Sequence, residues 1–105
     1  MSAEIEKKLD EIFNKRYRNG NIQPYSCFLS GSKADVDNAP KLYFEGSLED
    51  FCTLFDLLTL IAAKRDTHLL IWREGIGGTT ICIFLMDPPC YFRFRVTETY
   101  RGRDE

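Results

Sequence analysis

The stretch "HLLIWREGIGGTTICIFLMDPPCYFRFRVTE", residues 68–98, decides the fold of this chain. Three runs rich in β-branched and aromatic residues, "HLLIWRE", "TTICIFLM" and "CYFRFRVTE", are separated by the turn-forming "GIGG" and "DPP". Short runs punctuated in this way read as consecutive strands of an antiparallel meander. "ICIFLM" is apolar on both faces, as a central strand is, whereas "YFRFRV" sets Phe92, Phe94 and Val96 against Tyr91, Arg93 and Arg95. The phenylalanines are expected to face a core, and the arginines whatever lies on the other side.

The two turns carry little chemistry. "GIGG" offers backbone N–H groups to a phosphate, but phosphate loops open a helix and this one leads into a strand, so a hairpin connection is the better reading. In "DPPC", Pro88 suits a turn and Pro89 restricts the residue before it.

Upstream, "SLEDFCTLFDLLTLIAAKR" begins with Ser47 three residues before Asp50, a capping box with Asp in place of the usual Glu or Gln. In the long helix that follows, Phe51, Cys52, Leu54, Phe55, Leu57, Leu58, Leu60 and Ile61 occupy most of the circumference. A helix apolar nearly all round needs cover on more than one side, from a sheet plus another helix or from a second subunit. A homodimer is therefore expected.

Before this helix, "KLYFEG" reads as a strand with Leu42 and Phe44 on one face, Tyr43 on the other, and Gly46 as its breaker. "GSKADVDNAP" is a polar loop, and "YSCFLS" after "NGNIQP" reads as a further strand. At the start, Ile5, Leu9, Ile12, Phe13 and Tyr17 recur at helical spacing, with Ser2 to cap the helix and Asn19 and Gly20 to end it. Glu4 and Glu6 precede Lys15, Arg16 and Arg18, the order that the helix dipole favours.

These elements fit in one domain spanning residues 1–105, since a chain of 105 residues does not divide into two self-sufficient cores. With 44% hydrophobic and 13% aromatic residues, it buries enough apolar surface to fold without a metal or a disulfide. The predicted architecture is α+β: an antiparallel sheet of four to five strands with two helices packed on one face. The strand order is left open, because "YSCFLS" and "KLYFEG" can pair with each other or flank the meander.

Net charge is -2 with a pI near 5.4, which repels a polyanion unless basic residues gather on one face. Acidity concentrates in residues 25–63, and no block is strongly basic even where Arg93, Arg95, Arg101 and Arg103 stand near the end. Cys27, Cys52, Cys82 and Cys90 are widely spaced in apolar surroundings, without the C-x-x-C pairing of zinc or redox sites. "MSAEIEKKLDEIF" has no apolar signal core, so reduced, structural thiols in a cytoplasm are expected, with Cys90 the most accessible.

Candidate chemistry is sparse. His68, the only histidine, has no Ser or Cys nucleophile beside it in a recognisable motif, and the carboxylate pairs Glu49/Asp50 and Asp35/Asp37 are explained by capping and solvation. "DVDN" lacks the glycine and distal glutamate of a calcium loop. No catalytic residue, metal or cofactor is assigned, and no membrane association is expected.

What remains is a sheet face bearing Tyr43, Tyr91, Arg93 and Arg95, with Phe84 or Met86 nearby. Tyr, Phe, Met and Arg are the types enriched in interface cores, which points to a partner protein. The same residues would let a sheet stack bases and contact phosphates, so single-stranded nucleic acid is the second reading, although the RNP1 pattern is missing. In size, acidity and lack of catalytic residues the chain resembles the small inhibitors that phages and mobile elements use against host defence nucleases. That likeness implies stoichiometric occupation of a partner's surface.

Overall fold

The computed structural model describes residues 2–16, 22–24 and 37–99. Along the chain these form α1 (Ser2–Arg16), β1 (Ile22–Pro24), β2 (Lys41–Ser47), α2 (Leu48–Lys64), β3 (Leu69–Glu74), β4 (Thr80–Met86) and β5 (Pro89–Glu98). The expected strand "YSCFLS", the thiol Cys27, the carboxylate Asp35, the helix end at Asn19 and Gly20, and Arg101 and Arg103 lie outside the described residues. A three-residue strand stands at "IQP", within the stretch read as a connection.

β3, β4 and β5 form the antiparallel meander, with Ile83 paired to Ile71 on one side and to Phe92 on the other. The sheet order is β1-β3-β4-β5-β2, and both outer strands run parallel to their neighbours. The sheet is therefore mixed, and the expectation of an antiparallel sheet is corrected. The reason lies in the connection. β2 reaches β3 through α2, a crossover that brings the chain back in the same direction, and β3 already runs parallel to β5 across the meander. Beside β5, β2 is then parallel to it.

The β3–β4 hairpin closes through a 3-10 turn at Ile76–Gly78, with Gly77 at φ 72° and Gly78 at φ 68°. These left-handed angles suit glycine. A side chain at Gly77 would also collide with the Glu6 carboxylate of α1. Arg73 fastens the turn to the helix: its Nε donates to the Gly78 carbonyl at 2.8 Å, its guanidinium pairs with Asp10 at 2.5 Å, and it lies 5.3 Å from the centre of the Phe13 ring. Asp87 and Pro88, joined by a cis peptide, turn β4 into β5.

Ile5, Leu9 and Phe13 of α1 and Leu48, Phe51, Phe55, Leu58 and Ala62 of α2 share one buried cluster with the sheet residues Leu69, Ile71, Ile81, Ile83, Leu85, Phe92, Phe94 and Val96. Phe51 stacks on Phe55 at 5.4 Å between ring centroids and meets Phe94 edge-on at 5.6 Å. Ser47 caps α2 as its sequence predicts, its Oγ accepting from the Asp50 N–H at 3.0 Å. Gly46 does not break β2; the strand runs through it with a shift in register and passes directly into the helix.

Cover within the chain is incomplete in two places. α2 is not buried all round: Leu57 and Leu60 are 53% and 54% exposed. Leu42 and Phe44 lie on the helix-facing side in register with Phe92 and Phe94, yet remain 46% and 43% exposed, because β2 is at the edge of the sheet.

Candidate functional site

Strand alternation places Lys41, Tyr43 and Glu45 of β2 in register with Tyr91, Arg93 and Arg95 of β5, and these with Phe84, Cys82 and Thr80 of β4. Leu70, Trp72 and Glu74 of β3 complete this face, opposite the helices. The four residues singled out for partner binding, Tyr43, Tyr91, Arg93 and Arg95, are thus brought onto one surface.

They do not share one depth. Ala39, Leu70, Cys82, Phe84 and Tyr91 form a second, smaller buried cluster with Trp72 packed against it, so the face expected to be open is partly closed. Tyr91 is only 8% exposed: it stacks on Trp72 at 5.9 Å, meets Tyr43 edge-on at 6.3 Å, and its hydroxyl donates to the Cys82 Sγ at 3.3 Å. Its backbone N–H donates to the Pro40 carbonyl, which brings the segment carrying Ala39 over this end of the face. Phe84 is buried as well, whereas Tyr43 and Met86 are exposed.

The exposed part is a rim of rings and charges. Tyr43, Phe44, Thr80, Arg93 and Arg95 line a shallow cavity of about 280 Å³. Arg93 stands 3.5 Å from Glu74, and Arg95 stands 3.6 Å from Glu45. Glu74 in turn accepts from the Trp72 indole N–H at 2.9 Å. Exposed pairs of this kind add little stability.

Burial pushes the Cys82 thiol up to about 11, against the opposing pull of the Tyr91 hydroxyl bond. Burial likewise raises the Tyr91 phenol, followed by its bond to Cys82, and raises the Cys90 thiol. At neutral pH Cys82 and Tyr91 are a neutral, hydrogen-bonded pair beneath the rim, unsuited to nucleophilic work. His68 precedes β3, and its carbonyl accepts from the Met86 N–H. Among the described residues no three His, Cys, Asp or Glu side chains stand close enough to hold a metal ion, and no helix is long and apolar enough to cross a membrane.

Trp72 and Glu74 were not singled out in the sequence, although the alternation in "LLIWRE" puts them on one face with Leu70. A cavity of about 380 Å³ beside α1 and α2, reached by Lys8, Cys52, Asp56 and Thr99, left no mark in the sequence. No known protein family, curated protein or solved structure matches this chain.

Proposed function

We propose that this chain is a small protein-binding module that acts by occupying a partner's surface, with no chemistry of its own. Its docking surface is the rim formed by Tyr43, Arg93 and Arg95, with Tyr91 as the buried support beneath them. The observation that carries this reading is the cavity in which two exposed rings, Tyr43 and Phe44, and two guanidinium groups stand together on strands. Tyr and Arg are the side chains on which interface energy concentrates, and strand-held groups lose little freedom on docking. A partner presenting carboxylates beside an apolar side chain fits this surface. Stoichiometric inhibition, as by a phage or mobile-element counter-defence protein, is the mode of action it suits. The free thiols Cys82 and Cys90 support action in the cytoplasm.

Binding of single-stranded nucleic acid is the second reading and uses the same residues. Two observations favour the first. Tyr91 lies under Trp72 and Tyr43 rather than open for stacking. Lys41, Arg93 and Arg95 share their face with Glu45 and Glu74, so the surface is close to electrically balanced.

Purification with and without nuclease, followed by binding assays at several salt concentrations, tests the proposal. A protein that copurifies after nuclease treatment, binds with only gentle salt dependence, and loses about a hundredfold or more in affinity to Arg93→Glu/Arg95→Glu is the expected result. Copurification lost to nuclease, with log affinity falling steeply against log salt, would establish the nucleic-acid reading instead.

A further inference from the structure

β2 pairs with β5 along its inner side, and no described strand lies against its outer side. The Pro40 carbonyl accepts from the Tyr91 N–H at 2.9 Å, which fixes how the strand is turned. Backbone groups alternate sides along a strand, so Leu42 and Phe44 direct theirs toward β5 while Lys41, Tyr43 and Glu45 direct theirs outward. An outward row of this kind is a template for another strand.

The segment "KLYFE", residues 41–45, is complementary to itself when reversed. With Tyr43 at the centre of an antiparallel pairing, Lys41 stands opposite Glu45 of a second copy, Leu42 opposite Phe44, and Tyr43 opposite Tyr43. We propose that the chain forms a twofold homodimer in which β2 pairs in this register with β2 of a second copy, joining the two sheets into one.

Three independent features agree on that register. The pairs it forms between outward-directed residues, Lys41 with Glu45 and Tyr43 with Tyr43, can each exchange both backbone hydrogen bonds. A slip of one residue sets an outward residue against an inward one, and a slip of two sets a charged residue against Tyr43. The charges agree as well. Glu45 already faces Arg95 at 3.6 Å within the chain, and Lys41 from the second copy would stand on its other side, so that signs alternate across the seam.

The third feature is the exposed apolar surface. Gly46 sits where β2 passes into the first turn of α2, and a side chain there would meet Asp50 at 3.4 Å. Leu42 and Phe44 stand on the helix side of β2, each more than two-fifths exposed. Pairing β2 with its copy sets Leu42 and Phe44 in two mutual contacts and removes them from water. It also brings the two Tyr43 rims together, whatever occupies them.

Sedimentation equilibrium on the full chain, without any binding partner, tests the inference. A dimer mass is expected at micromolar concentration. Lys41→Glu, an exposed substitution that sets glutamates against each other at both ends of the seam, should raise the dissociation constant about tenfold. The double change Lys41→Glu/Glu45→Lys should restore the dimer. Oxidation of the Tyr43→Cys protein should give a covalent dimer under conditions that leave the wild type uncrosslinked, because directly opposed Cα atoms at about 5.5 Å can carry a disulfide. A monomeric mass across the micromolar range would overturn the proposal. So would a dimer indifferent to both charge changes whose Tyr43→Cys form does not crosslink.

Discussion

The two faces of this sheet share their strands and differ in almost everything else. On the helix side, Leu9, Phe51, Phe55, Ile81 and Ile83 have no exposure, and every member of the buried cluster is apolar. On the outer side a few residues close over Cys82, Phe84 and Tyr91, and the rest is ring and paired charge at the surface. One face concentrates stability. The other spends most of its area on groups that water or a partner can reach, and uses its small cluster to fix where they stand.

The largest effect that would break this contrast is expected at Phe55, which lies fully buried against Phe13 at 6.2 Å and Phe51 at 5.4 Å. Phe55→Ala should cost about 3 to 5 kcal/mol in urea denaturation, a large share of what holds a domain of this size together. A loss below about 1 kcal/mol would mean that the helix face is not the main source of stability.

A smaller effect comes from the neutral pair under the outer face. The folded state holds the Cys82 proton to about 11 against an ordinary value of 9.0. Between those values the unfolded chain binds fewer protons than the folded one, so stability is retained below pH 9 and falls as pH rises toward 11. The expected loss is about 2 to 3 kcal/mol, and Tyr91, raised in the same direction, extends it to higher pH. Denaturation midpoints measured through this range should slope less in Cys82→Ala than in the wild type. Equal slopes would show that the thiol is not sealed.

The smallest effect sharpens the comparison most. Arg95→Ala should change the melting free energy by no more than about 0.5 kcal/mol, because the pair with Glu45 is exposed. Partner affinity should nevertheless fall. A substantial loss of stability would move Arg95 from the presenting surface into the framework.

The meander, α1 and the Ser47 cap were legible because each is written locally, in turn residues, helical spacing or a side chain three positions from its acceptor. That Arg93 and Arg95 share one face was legible for the same reason, since alternation is a property of neighbours in the chain, whereas the place of Tyr43 beside them depends on the pairing of β2 with β5. What alternation does not carry is depth. Tyr91 has the parity of Arg93, but its burial depends on Trp72 and on the segment at Ala39 and Pro40, both distant in sequence. The direction and place of β2 were hidden too, because they follow from which strand α2 returns to. Gly46 read as a breaker, yet pairing with β5 overrode its propensity and left only a shift in register.

The parallel pairing of β2 with β5 also has a consequence for synthesis. β3, β4 and β5 close through short turns, so their ladders need little loop closure, whereas Lys41 must find Tyr91 across most of the described chain. β2 leaves the ribosome well before the strand that receives it. During that interval "KLYF" has a free ladder on both sides. A chaperone or a neighbouring nascent chain that meets the protein at this stage meets β2 first, and slowing translation just before Pro89 should lengthen that exposure.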